Sequence, residues 1–304
     1  MSDQALAIRP GTAADSRPAF DVFVAAVTDL AARLGSPWNA NADELWPRLQ
    51  PMFDMIAAHA AEWWVATDGA GAVIGYARSV ERGGLFELSE MFVLPRKQAA
   101  GIGRLLLERA FPTGRGEVRA IIATTDVRAL ANYYRAGTAA RFPITSLLGA
   151  PGKRAGRAPL EPSLEAITAT PDDIPALLEL ERGAIEFDRG PDEMRWLIEQ
   201  REGCLYRRAG RLLGSSFLTT RGAIGPVVAA SPQDMPGILD RVERRAAELE
   251  VEELTVDVPG PNEAALRHLL ERGLQLDTFL TVLMSSRPFG DFSRFIGFAP
   301  PFVL

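Results

Sequence analysis

The chain has 304 residues, 47% hydrophobic and 24% charged, a length suggesting two domains and a composition far from that of a disordered chain. Its 39 acidic side chains outnumber 33 basic ones, and the formal charge of -6 argues against a nucleic-acid partner, whose binding would need a basic face. A single cysteine, Cys204, excludes an internal disulfide framework, and two histidines distant in sequence, His59 and His268, argue against a zinc site or a histidine-based triad, so no metal is expected.

The first residues, Met1-Ser2-Asp3-Gln4, lack the basic stretch and apolar core of a signal peptide. No uncharged apolar run approaches the ~20 residues that span a bilayer. A cytoplasmic α/β or α+β protein without a membrane partner is expected. The chain opens on a short strand at Ile8-Arg9 that leads to a helix-capping acid, Asp15. Residues 20–34 and 44–61 place apolar side chains at three- and four-residue spacing, as amphipathic helices do. Residues 63–67 and 72–77 flank Asp68-Gly69-Ala70-Gly71 and form a hairpin. Residues 85–94 form a third strand that stops at Pro95. A helix at 101–111, a strand at 118–124 and a helix at 127–136 ended by Gly137 complete the first half.

From 148 to 162 the chain is rich in glycine and proline and locally basic, which breaks both periodicities and marks a linker. Domains at 1–147 and 163–304 are expected on either side. The halves correspond as a diverged repeat. Asp15 answers to Asp173, Gly75 to Gly214 and Gly137 to Gly273, in the same order.

Chemistry concentrates in Glu90-Met91-Phe92-Val93-Leu94-Pro95-Arg96-Lys97-Gln98-Ala99-Ala100-Gly101-Ile102-Gly103-Arg104. A strand runs into a basic loop, then Gln-x-x-Gly-x-Gly, then a helix. Small residues at a helix start let a phosphate reach the free backbone N–H groups, where the helix dipole favours negative charge. The dinucleotide fingerprint fails because its third glycine position is Leu106. A P-loop fails because Arg104 and Leu105 follow Gly103. The pattern instead resembles the acetyl-CoA signature of the GNAT superfamily of N-acetyltransferases. A second segment, from Asp126 through Ala129 and Tyr133 to Gly137, is similar to that family's last helix, with Asp126 in place of asparagine and Thr138 in place of phenylalanine.

The second half keeps the frame but not the site. After the strand at 224–229 come Pro232 and Pro236 and no Gly-x-Gly, and Leu269 stands where Tyr133 does. Pro236 has no N–H to offer a phosphate. The resemblance therefore implies two tandem GNAT-like domains, each a mixed, mostly antiparallel twisted sheet flanked by helices. The first is intact and the second degenerate.

The resemblance also implies direct attack by a small-molecule primary amine on acetyl-CoA, with no covalent enzyme intermediate. Met91, Phe92 and Val93 would hydrogen-bond the pantetheine arm and acetyl oxygen. Arg96, Gln98, Ala99, Ala100, Gly101, Ile102, Gly103 and Arg104 would hold the pyrophosphate. Tyr133 would protonate the departing thiolate, with Tyr134 beside it as the competitor. Glu90 is the candidate base, directly or through water, and Glu87 its rival. Three residues apart, the two carboxylates face opposite sides of a regular strand unless a bulge intervenes. A non-catalytic acyl-CoA sensor or scaffold is the alternative, and the length of the acyl group stays open.

Trp38, Trp46, Met52, Phe53, Trp63 and Arg78 could line an acceptor pocket, although aromatic residues at helical spacing are more often core. His59 reads as a helix-face residue and Cys204 as a small buried apolar group. Phe289, Phe292, Phe295, Phe298 and Phe302 form a stripe near the C-terminus. It packs over the protein's own sheet or makes a homodimer contact.

Overall fold

The computed structural model describes residues 6–35, 38, 40–98, 101–151 and 160–297. The chain forms two compact units. The first comprises Met1–Ala139 with Met284–Arg287, and the second Ala140–Leu283 with Pro288–Leu304. No described helix is long and apolar enough to cross a membrane.

In the first unit, β1 (Ala7–Pro10) leads through a capping turn into α1 (Ser16–Leu34) and α2 (Ala42–Ala58). Asp15 sets that turn: its carboxylate accepts from the Thr12 amide and hydroxyl and pairs with Arg9 at 2.7 Å. Gly35, at φ 72°, ends α1 in the left-handed conformation that a Cβ disfavours. The second helix stops at Ala58 rather than running to residue 61. His59 is its exposed C-cap, with Nδ1 2.9 Å from the Met55 carbonyl, and β2 (Ala60–Thr67) follows at once.

The sheet continues antiparallel through β3 (Val73–Arg82) and β4 (Leu85–Val93). Then come α3 (Ile102–Ala110), β5 (Val118–Thr124) parallel to β4, and α4 (Val127–Arg135). The hairpin between β2 and β3 is held by Asp68, whose Oδ1 accepts from the amides of Ala70 and Ala72. Aromatic rings knit α1 and α2 to each other and to the sheet. Phe20 and Phe53 meet edge-on at 5.0 Å, and Phe23 meets Phe92 of β4 at 5.1 Å. The returning segment Met284–Arg287 joins this unit through β5, the Ser286 amide donating to the Arg119 carbonyl at 2.9 Å.

The second unit repeats the frame. It runs β6 (Ala139–Gly149), β7 (Glu165–Thr168), α5 (Ile174–Ile185), α6 (Gly190–Gln200), β8 (Glu202–Arg208), β9 (Arg211–Leu218), β10 (Ala223–Ala229), α7 (Met235–Glu248), β11 (Leu254–Pro259), α8 (Glu263–Glu271), β12 (Gln275–Ser285, whose last two residues belong to the first unit) and β13 (Phe295–Ile296). Strands β7 to β10 are antiparallel and β10 to β11 parallel. Its core includes Leu213, Val227, Ile238, Val256 and Leu269.

The first unit does not end at residue 147, because β6 pairs with β11 from Ile144↔Pro259 to Gly149↔Leu254 and so belongs to the second unit apart from Ala139. For the same reason Leu148 and Gly149 are strand rather than linker. Residues 152–159 of the expected linker lie outside the described residues.

Candidate functional site

The site grows from a single irregularity in β4. Against β3, Arg78 stands opposite Glu90 but Ser79 opposite Leu88, so Ser89 is an extra residue, a β-bulge. A bulge bends its strand and raises the local twist. On the other edge, β4 pairs with β5 from Leu85↔Val118 to Leu88↔Ile121 and no further. Past the bulge the two strands diverge. The gap is a cavity of about 670 Å³, closed by α1 on one side and α4 on the other. The Ser89 hydroxyl is buried beside it with no hydrogen-bond partner.

Glu90, Met91, Phe92, Val93, Gln98, Gly101, Gly103, Arg104 and Tyr133 all line this cavity. Arg96 is exposed outside it, and Ile102 turns its side chain into the core at 3% exposure. Ala99 and Ala100 lie outside the described residues. At the start of α3, Gly101 adopts φ 79°, a conformation costly for any residue with a Cβ. The first amide to find a carbonyl within the helix is that of Leu105, bonded to Gly101 at 3.1 Å. The amides of residues 102–104 are those a helix leaves unpaired. A Cβ built at Gly103 would meet nothing within 4 Å. The cradle is therefore open to a ligand, and the residues present fit a pyrophosphate there.

Basic groups surround the cavity: Arg33 from α1, Arg104 from α3, and Arg128 and Arg135 from α4. Sequence reasoning named only Arg104 among them. Arg128 was legible only as a near neighbour of Asp126, and Arg33 carried no local signal. Asp126 caps α4 by accepting from the Arg128 amide at 2.9 Å and pairs with Arg128 at 2.8 Å and Arg33 at 3.2 Å. These contacts, that with Arg128 first, hold its carboxyl well below the usual range. Gln98 spans the gap, its Nε2 donating to the Val93 carbonyl at 3.1 Å and its Oε1 accepting from Arg128 at 2.9 Å.

The two adjacent tyrosines part company. Tyr133 is 6% exposed and lines the cavity, whereas Tyr134 is 52% exposed. Burial, aided by the negative charge of Asp126, pushes the Tyr133 phenol above its ordinary range, so it stays protonated at neutral pH.

Glu90 is buried in a compact network. Arg78 Nε donates to Oε2 at 2.5 Å and the Tyr76 hydroxyl to Oε1 at 3.1 Å. Arg78 is wholly buried, donates also to the Phe53 carbonyl at 2.9 Å, and lies 4.7 Å from the Phe53 ring centre and 5.3 Å from that of Trp63. Glu87 is a partner of Arg82 at 3.3 Å and does not line the cavity. The bulge between them interrupts the strict alternation expected of a regular strand.

None of Trp38, Trp46, Met52, Phe53, Trp63 and Arg78 lines the cavity. Met52 and Phe53 are buried in the core, and Trp46 packs 5.0 Å from Phe20. Cys204 is half-buried rather than fully buried, and burial pushes its thiol up.

Residues 59–137 match the acetyltransferase (GNAT) domain model. Among solved structures, the chain is similar to a proposed acetyltransferase from Pyrococcus horikoshii, at 16% identity over 98% of this chain and 95% of that one, with a TM-score of 0.73. It is similar also to a GCN5-related N-acetyltransferase from Sphaerobacter thermophilus, at 19% identity over 97% and 99%, TM-score 0.63. A tandem GNAT protein from the clavulanic acid biosynthesis pathway shares 15% identity over 93% and 99%, TM-score 0.58. At such identities the likeness is one of fold. Comparison with curated proteins gives no match. The cavity and the matched span overlap: residues 59–137, which match the GNAT acetyltransferase domain model, supply most of the lining, and the whole chain has the fold of a tandem GNAT protein.

Proposed function

We propose that the first unit moves an acetyl group from acetyl-CoA to the primary amine of a small molecule by direct attack. The observation that carries this reading is the end of β4–β5 pairing at Leu88 and Ile121, which opens one cavity onto both the glycine-started helix and Tyr133. When bound, acetyl-CoA supplies the activated thioester. The chain's own residues do the rest.

The amides of Ile102, Gly103 and Arg104 hold the pyrophosphate at the positive end of α3, with Arg33 and Arg128 adding positive charge at the rim. The backbone of Met91, Phe92 and Val93, past the point where β5 leaves it, orients the pantetheine arm as a neighbouring strand would. Tyr133 holds a proton at its Oη, ready for the departing thiolate. Glu90 takes the proton of the acceptor ammonium at Oε1, the oxygen it shares with Tyr76, directly or through one water.

Calorimetry with acetyl-CoA, followed by a thiol-release assay over a panel of small amines, tests the reading. One bound acetyl-CoA per first unit and free thiol with at least one amine are expected. Binding without thiol release from any amine would favour an acyl-CoA sensor or scaffold, and absence of binding would overturn the assignment.

A further inference from the structure

The two units share a frame and differ in what lies between their parallel strands. In the second unit, β10 and β11 pair only at Ala223↔Thr255 and Ile224↔Val256. The register of β10 against β9 then shifts between Ile224 and Val227, as that of β4 does against β3 just after Leu88. Matching Gly75 with Gly214, whose partners are Val93 and Ala229, sets Val227 and Val228 where Met91 and Phe92 stand.

Here the space beside the strand is taken. Strand β13 pairs antiparallel with β10 at Val227↔Ile296 and Val228↔Phe295. Phe295 and Ile296 are fully buried, and Phe292 and Phe289 nearly so. Phe292 meets Phe295 edge-on at 5.9 Å, Phe289 edge-on at 5.3 Å, and Phe142 at 4.9 Å. Phe298 and Phe302 lie outside the described residues. Asn262, the N-cap of α8 and counterpart of Asp126, is wholly buried. It accepts from the Ala265 amide at 3.1 Å and donates from Nδ2 to the Phe295 carbonyl at 3.4 Å. The capping residue that stands at the cavity in the first unit grips the tail in the second.

We propose that the C-terminal strand is a built-in occupant of the second unit's cofactor berth. Phe295 and Ile296 take the edge of β10 that the first unit leaves free on β4 for a pantetheine arm. The chain then binds one acyl-CoA, in the first unit, and none in the second. The proposal rests on the reading of the first unit given above. A tethered strand competes at an effective concentration of about millimolar, and it brings its own apolar burial. Leu239 stands where Gly103 does, and Gly237, the counterpart of Gly101, lies against Glu161 and Leu164, so no open glycine cradle helps a cofactor displace it.

The test is calorimetry with acetyl-CoA on the wild-type chain and on Gly103→Leu, paired with hydrogen exchange of the segment 289–297. One site in the wild type, none in the variant, and exchange of the tail unchanged at saturating acetyl-CoA are expected. Two sites in the wild type, one of them persisting in Gly103→Leu, or faster tail exchange on adding acetyl-CoA would overturn the proposal while leaving the first unit's assignment intact. No site in the wild type would instead overturn that assignment, and the stoichiometry proposed here with it.

Discussion

Arg78 and Glu90 stand opposite each other across β3 and β4, joined at 2.5 Å with side chains 0% and 4% exposed. Removing one member of such a pair strands the other charge in a low-dielectric interior, at a cost of about 3–5 kcal/mol, whereas replacing both with apolar groups of similar size costs far less. Glu90→Gln is therefore expected to lower the urea-unfolding free energy by that amount, and Arg78→Met with Glu90→Leu by clearly less. If Glu90 also accepts the substrate proton, both variants lose turnover even where they remain folded. Equal losses of stability in the single and double variants would show that the ion pair is not what holds this site.

Gly103 faces open space, so a larger side chain there collides with ligand and not with protein. Replacing glycine within a helix also recovers up to about 1 kcal/mol of propensity. Gly103→Leu is expected to keep or raise the melting temperature while weakening acetyl-CoA binding at least about 100-fold, as a bulky group in the cradle excludes the diphosphate. Calorimetry and a thermal melt on the same sample check both halves, and unimpaired affinity would remove the cradle assignment.

What could be read from the sequence was what is local. Gln98, Gly101 and Gly103 lie within six residues, and the turn-to-helix geometry they specify follows from backbone sterics alone. The strand at 118–124 came out with its observed bounds. The bulge at Ser89 was not legible, because one extra residue on β4 shows only against the register of β3. For the same reason Arg78 read as a pocket residue when it is the buried partner of Glu90. The phenylalanine spacing near the C-terminus signalled a stripe, but its berth beside Val227 and Val228 is set by pairing between segments distant in sequence. The placement of β6 with β11 is likewise a long-range pairing, and it moved the unit boundary from 147 to 139.

Tyr133 and Tyr134 provide an internal control. Tyr133→Phe keeps the ring in the cavity wall and removes only the proton donor. Turnover is expected to fall by about 10²–10⁴-fold, the range for a general acid, with acetyl-CoA affinity unchanged. Tyr134→Phe, at an exposed position, should leave both unchanged. Initial rates and calorimetry on the pair separate the roles, and full activity in Tyr133→Phe would pass the acid role to water.

Three of the four tyrosines, Tyr76, Tyr133 and Tyr206, are buried, and burial above all raises the pKa of each beyond its ordinary value of 10. Below pH 10 these phenols are protonated in both folded and unfolded chains, and the stabilising difference is fully present. Above pH 10 the unfolded chain releases those protons and the folded chain keeps them. Unfolding then becomes easier by about 1.4 kcal/mol per pH unit for each such group. Tyr76 and Tyr133 belong to the first unit and Tyr206 to the second. The first unit should therefore lose stability above pH 10 through Tyr76 and Tyr133, and the second through Tyr206 together with the raised thiol of Cys204. Urea unfolding between pH 9 and 11.5, followed by exchange in each unit, reads the two slopes separately. The loss should be shallower for the first unit in Tyr133→Phe, and a slope there equal to the wild type's would mean that this phenol already ionises in the folded chain.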